Sequence, residues 1–214
     1  AMSATNSLSL QQILDNPTVK QTVDDVSYEL RRRRAFQPPA CQVFAQPYTL
    51  LEETDRFRFS IDPEAERQLP GIIHNKVQIV TGKTKVSKAV AERYTKRRHI
   101  GIVFSGGPAP GGHNVIAGLF DAAKRVNPEN RVFGFLVGPD GVIENEAVEI
   151  TRELVDAYRN LGGFTMIKTG RAKIDSKQKI DLSRETCKAL GLDALVIVGG
   201  DDSNTNAAFL AQEM

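Results

Sequence analysis

The sequence predicts an α/β fold built on a doubly wound, mostly parallel sheet, with an N-terminal extension ahead of it. Three observations carry that expectation. The apolar runs at 100–104, 131–137 and 194–198 are continuous rather than alternating, as strands buried on both faces should be. Stretches with helical spacing separate them. Glycine pairs, Gly106-Gly107 and Gly199-Gly200, follow the first and last runs, and in such sheets ligands sit beyond the carboxyl ends of the strands.

Composition narrows the class. The chain has 214 residues, enough for one full α/β domain or for a domain with an extension. It is 41% hydrophobic and 25% charged, with no Trp and a formal net charge of +2. That charge is too near neutral for a dedicated nucleic-acid binder. Cys41 and Cys187 stand alone, with neither CxxC spacing nor a paired framework, so reduced thiols in a cytoplasm are expected. No apolar run approaches the roughly 18 residues that span a bilayer. The N-terminus lacks the basic-then-apolar pattern of a signal peptide, and Ala1-Met2 reads as a residue left by tag removal before the natural Met. The expectation is a soluble, cytoplasmic protein with no membrane and no nucleic-acid partner.

Taken in order, residues 1–95 form the predicted extension and 96–214 the α/β part. Ser9 caps a short run, Leu10 to Leu14, that Asn16-Pro17 ends, and Val19 to Arg34 reads as a polar helix stopped by Gln37-Pro38-Pro39. Val43 to Leu51 reads as an edge strand or an extended arm. Arg56 to Ile61 alternates with period two, as a half-exposed strand does, and Ile72 to Val80 is a further strand candidate. This region looks like an extension wrapped on a core or on a partner subunit. After the strand at 100–104, helical spacing runs from about Val115 to Val126. Ala147, Ile150, Leu154, Tyr158 and Leu161 fall on one face of a predicted helix ending at Gly162-Gly163. Phe164 to Ile167 is a third strand candidate. A helix near Ser183 to Leu190 ends at Gly191, before the strand at 194–198.

The last turn, Gly199-Gly200-Asp201-Asp202-Ser203-Asn204, holds the main chemical clue. The glycines let the backbone turn sharply or approach a ligand closely. Ser203 or Asn204 is placed to cap the next helix, whose free N–H groups favour an anion. Yet Asp201 and Asp202 put negative charge at the same spot. A site that attracts phosphate and holds carboxylates commonly has a metal ion between them. The earlier turn, Ser105-Gly106-Gly107-Pro108-Ala109-Pro110-Gly111-Gly112, lacks the glycine spacing of a dinucleotide fingerprint. Its prolines fix a loop whose N–H groups can point at phosphate, although such turns also serve packing alone. Arg171 and Lys173 can clamp phosphate or sit in a solvated turn.

Other features have duller readings. Thr81-Gly82-Lys83-Thr84 ends like a Walker A loop, but Val77 stands where its first glycine belongs, so a turn between elements is expected. The basic runs Arg31 to Arg34 and Lys83 to Arg98 read as solvated faces, with a subunit interface or a general pull on anionic substrates as the alternative. His113 reads as a structural or capping residue rather than a base. No Ser/His/Asp triad or zinc site is visible.

SGGPAPGGHN at 105–114 followed by GGDDSNTNA at 199–207 resembles the phosphofructokinase family, in particular its long, pyrophosphate-dependent branch. ATP-dependent members carry GGDGS at the second site and GGDAPG at the first; here Asp202 replaces a glycine and Pro108 an aspartate. The likeness covers about 99–214. It implies that Gly107 binds the transferred phosphate through its N–H, that Asp201 holds Mg²⁺ bridging the diphosphate, and that Asp202 occupies the space of an ATP α-phosphate. Arg171 matches a position that contacts donor phosphates, in a local sequence that departs from the ATP form. The implied reaction is reversible phosphoryl transfer from pyrophosphate to the 1-hydroxyl of fructose 6-phosphate, a glycolytic and gluconeogenic step, in a homo-oligomer (dimer or tetramer).

The family's catalytic base lies in a TIDxD-type motif downstream of the second glycine turn, and an MGR motif helps to hold the sugar phosphate; neither occurs in this sequence. The resemblance therefore implies a truncated chain that is inactive alone. Two alternatives stay open. An ATP-dependent 6-phosphofructokinase is disfavoured by Asp202, and a non-catalytic regulatory subunit of a heteromer is disfavoured by the intact GGDD.

Overall fold

A computed structural model of the chain describes residues 17, 28–57 and 59–214. The expectations for 1–16 and 18–27, including the break at Asn16-Pro17, lie outside these residues; Pro17 itself is helical. The predicted polar helix is present over 28–35 and ends before Gln37-Pro38-Pro39.

Two sheets form. Strands β1 (Tyr48–Glu53) and β2 (Gln78–Lys83) make an antiparallel pair in the N-terminal part, with Leu51 opposite Val80. The principal sheet has four strands: β3 (His99–Phe104), β4 (Arg131–Phe135), β5 (Ala147–Glu149) and β6 (Ala194–Val198), in the order β5-β4-β3-β6. β3 runs parallel to both β4 and β6, whereas β5 is an antiparallel edge. The expected doubly wound α/β arrangement is present.

Side-chain alternation along β3 creates its two covered faces. Ile102 and Phe104 point to one side, into a core with Ile116 and Phe120 of the helix α4 (Gly112–Val126) and Val155 of α6 (Arg152–Tyr158). Val103 points to the other, where Phe135, Val142, Ile174 and Leu210 pack. Between these, α1 (Gln42–Ala45), α2 (Pro63–Gln68) and α3 (Lys88–Thr95) precede the sheet, and α5 (Pro139–Ile143), α7 (Lys177–Ala189) and α8 (Asp201–Glu213) follow its strands. α7 starts earlier than predicted because Ser176 accepts a hydrogen bond from the Lys179 N–H, and Gly191 follows its end at φ +60°. Cys41 and Cys187 are free thiols, and burial pushes the Cys187 thiol up. Among the described residues no helix is long and apolar enough to cross a membrane.

Several local expectations are corrected. The stretch 147–161 is not one helix: Ala147–Glu149 joins the free edge of β4, and α6 begins only after Thr151 caps Leu154. Phe164 to Ile167 is a turn, with Lys168 at φ +61°, and not a strand. Phe57 and residues 59–61 are irregular rather than a strand, and the second strand candidate is paired only from Gln78. Thr81-Gly82-Lys83 is the end of β2, not a turn. Gly82 is held there by packing, since a Cβ would come within 2.6 Å of the Gln46 side chain.

Helices α4 and α6 are also tied by charge. Asp121 accepts hydrogen bonds from Arg152 Nη1 at 2.7 Å and Arg159 Nη1 at 2.8 Å. Burial alone would push this carboxyl up, but the two guanidiniums outweigh it and hold the group below its ordinary value. A depressed carboxylate adds stability above its unfolded-state pKa, and that stability is lost as pH falls through the folded value. Asp121→Asn is expected to cost about 1 kcal/mol at neutral pH, allowing for screening of a half-exposed group. Urea midpoints of parent and variant should converge as pH drops below 3.8, the ordinary carboxyl value; a gap that persists undiminished into that range refutes the assignment.

Candidate active site

The two glycine turns lie side by side because β3 and β6 are neighbours in parallel register, with Phe104 opposite Val198. Both chains therefore leave the sheet at the same edge. The Ser105 N–H still donates to Val198 O at 2.8 Å, and the loop then runs to Gly111, whose φ of +93° starts α4. β6 leads through Gly199-Gly200 directly into α8.

A buried serine pair laces the turns together. Ser203 Oγ lies 2.9 Å from Ser105 Oγ and donates toward Ser105 O at 3.2 Å. Gly199 is required here, because a Cβ would sit 2.3 Å from Ser203 Oγ and 2.5 Å from Ser105 O. Neither Ser203 nor Asn204 is thus the helix cap the sequence predicts. The cap position is Gly200, whose carbonyl accepts from Asn204 Nδ2 at 3.0 Å. The pairing partner was invisible in sequence, since the two serines are 98 positions apart.

An open cleft of about 720 Å³ lies between the turns. Gly106 to Gly112, except Pro108, form one wall with Phe164, and Val198 to Ser203 form the other. Phe164 is stacked on Phe104 at 4.0 Å, so an apolar residue of the mispredicted strand is a wall of the site. The N-termini of α4 and α8 both open here and favour an anion. The Gly107 N–H has no partner among the described residues.

Of the predicted site residues, Gly107 and Arg171 are brought together: a Cβ on Gly107 would lie 3.2 Å from Arg171 Nη2. The Arg171 segment is fastened to the loop, with Thr169 Oγ1 donating to Gly106 O at 2.9 Å and the Gly106 N–H to Gly170 O at 2.8 Å. Asp201 and Asp202 are exposed in the first turn of α8, in the opposite wall. Lys173 Nζ is 3.9 Å from Asp202 Oδ2, so both basic residues of that segment reach site residues. The basic run on and around α3 does not line the cleft. Lys83 pairs with Glu52, and Arg98 with Asp193, at the surface.

The donor set suits a hard, hydrated cation. Among the described residues no three His, Cys, Asp or Glu side chains form a metal cage. A cation at Asp201 must therefore complete its shell with water and substrate oxygens, as Mg²⁺ does at phosphate sites.

Comparison with known proteins places this geometry. The family model described as Phosphofructokinase matches residues 99–214. The pyrophosphate–fructose 6-phosphate 1-phosphotransferase of Porphyromonas gingivalis is 56% identical over 114 residues, covering 53% of this chain and 21% of that protein. The Treponema pallidum protein of the same name is 56% identical over 113 residues, covering 53% and 20%. The beta 2 subunit of the Arabidopsis thaliana phosphotransferase is 36% identical over 198 residues, covering 92% of this chain and 34% of its own length. That last match reaches well into the N-terminal part. The chain thus spans between a fifth and a third of these relatives' lengths. Since the matched region contains both glycine turns, the Arg171 segment and the whole four-stranded sheet, the chain belongs to the phosphofructokinase family.

Proposed function

We propose that this chain supplies the donor side of a pyrophosphate-dependent phosphofructokinase, which moves a phosphoryl group reversibly between pyrophosphate and the 1-hydroxyl of fructose 6-phosphate. The observation that carries the reading is one cleft with an anion-binding glycine loop on one wall and adjacent carboxylates on the other. The Gly107 N–H, without a partner among the described residues, binds the transferred phosphate, and Arg171 beside it takes a phosphate oxygen. Asp201 holds Mg²⁺, which when bound neutralises the diphosphate and aligns it for transfer. Such chemistry needs positioning and charge neutralisation more than covalent help. Asp202 closes the space beyond a diphosphate and so selects against ATP. Residues 96–214 form this donor-binding part and 1–95 an extension. The working protein is a cytoplasmic homo-oligomer.

The test is calorimetric titration of the intact protein with pyrophosphate and with ATP, each with and without Mg²⁺. Pyrophosphate is expected to bind only with Mg²⁺, and ATP more weakly than pyrophosphate. Equal affinity for both, or no pyrophosphate binding, sinks the proposal. Asp201→Asn should weaken Mg²⁺-dependent binding about thirtyfold, the scale of one charge-assisted contact; a variant with parental affinity removes Asp201 from the metal site.

A further inference from the structure

His113 is one residue from the glycine loop yet points away from the cleft. It is 2% exposed. Its ring receives main-chain N–H groups from a segment fifty residues further along the chain. Nε2 lies 2.9 Å from the Thr165 nitrogen and 3.2 Å from that of Met166, and Nδ1 lies 3.3 Å from the Gly163 nitrogen. The His113 main chain adds its own N–H, donated to Gly163 O at 2.9 Å.

These contacts fasten the near end of a span that builds the site. Phe164 is in the cleft wall; Thr169 and Gly170 bond to Gly106, and Arg171 rests on Gly107. We infer that His113 is a positioning residue, which in its neutral form clasps the 163–171 span against the glycine loop and in its charged form releases it. The role in donor binding rests on the function proposed above; the clasp does not.

The chemistry is nearly one-sided: of the four groups on the ring only the Thr165 hydroxyl, 3.4 Å from Nε2, can also accept. Main-chain N–H groups cannot turn round to become acceptors. Either neutral tautomer leaves the ring a lone pair for one side of this set, whereas the imidazolium leaves none and sets its own N–H groups against them. Burial accordingly pushes the imidazole below its ordinary value of 6.5. Among the described residues no carboxylate pairs with the ring to reverse this. Tyr158, at the end of α6, packs edge-on with centroids 4.8 Å apart. The charged groups that tie α4 to α6, Asp121, Arg152 and Arg159, are already bonded to one another. Asp121 is held ionised and Arg159 charged, so neither titrates near neutrality. Because the folded value is depressed, the clasp is at full strength above pH 6.5. It weakens as pH falls from there through the folded value.

The experiment measures Mg²⁺-pyrophosphate affinity of the intact protein between pH 5 and pH 8 for the parent, His113→Gln and His113→Leu. Gln offers a carbonyl acceptor near the position of Nε2 and does not titrate. It is expected to keep parental affinity near pH 8 and to lose the part of the acid fall that belongs to the protein, leaving only the protonation of pyrophosphate. Leu should bind about tenfold more weakly than the Gln variant at every pH, having left buried N–H groups without partners. Parallel acid falls in parent and Gln variant overturn the proposal. Hydrogen exchange at the Thr165 and Met166 amides is a second readout that needs neither ligand nor variant. After correction for intrinsic rates, protection in the parent should fall about tenfold between pH 7.5 and pH 5; unchanged protection overturns the clasp. A parent that binds no pyrophosphate at any pH removes the functional reading, and the exchange result then decides the clasp alone.

Discussion

An Asp202→Gly protein should bind Mg²⁺-ATP more tightly than the parent does. Asp202 stands in the first turn of α8, its side chain 89% exposed in the open cleft. A nucleotide α-phosphate seated about 4 Å from its carboxylate would meet a repulsion of about 1 kcal/mol in bulk water, rising to about 4 kcal/mol once the ligand displaces solvent. Removing the charge is therefore expected to raise ATP affinity by about fivefold at least and about a thousandfold at most. Lys173, 3.9 Å from the carboxylate, offsets part of the repulsion and favours the lower half of that range. Pyrophosphate ends short of this position, so its affinity should stay the same. Asp202→Asn separates charge from shape: it should behave like Gly if charge excludes ATP, and like the parent if bulk does. Titration of all three proteins with both donors makes the comparison, and an ATP affinity unchanged in the Gly variant ends the idea.

Gly170→Ala should be the most damaging small substitution near the site. A Cβ at 170 would lie 2.1 Å from the Val137 carbonyl oxygen and 3.1 Å from its carbon. These are main-chain atoms, in a turn where Val137 and Gly138 already hold positive φ. Neither side can yield without breaking the bond between the Val137 N–H and Ile167 O, at 2.9 Å, or that from Gly106 to Gly170. Overpacking of this kind costs about 3 kcal/mol, which for a chain of this length lowers Tm by about 10 °C. Because Arg171 is the next residue, pyrophosphate affinity should fall with it. Gly118→Ala is the control: it is exposed in the middle of α4, with nothing within 4 Å of the new methyl. It should raise Tm slightly, since alanine favours helix by about 1 kcal/mol over glycine. Melting curves followed by circular dichroism decide both, and equal Tm values for the two variants contradict the packing argument.

The chain shows where local pattern informs and where it misleads. The strands β3, β4 and β6 were legible because each is apolar without interruption, which suits a strand covered on both faces. The stretch 147–161 misled because Ala147, Ile150, Leu154 and Tyr158 do recur at helical spacing. Periodicity reports which residues want burial, and it is silent on whether a neighbouring strand has an open edge; β4 had one, and residues 147–149 took it. Phe164 to Ile167 misled in the opposite direction. Met166 and Ile167 are buried as strand residues would be, but both flanks of β4 are taken by β3 and β5, so the segment turns instead and contributes Phe164 to the cleft.

By itself the sequence determined the class of fold, the positions of both phosphate-favouring turns, and the identity of Gly107, Arg171, Asp201 and Asp202 as candidates, because glycine pairs after apolar runs and adjacent carboxylates are local signals. Only the tertiary structure decided which of them meet. Arg171 reaches Gly107, and Lys173 reaches Asp202, through a span that no local rule positions. Ser105 and Ser203 find each other across the sheet, and His113 finds the N–H groups of 163–166. The physical reason is shared. A buried polar group must be satisfied, but its partner comes from whatever backbone the packing of distant elements leaves beside it.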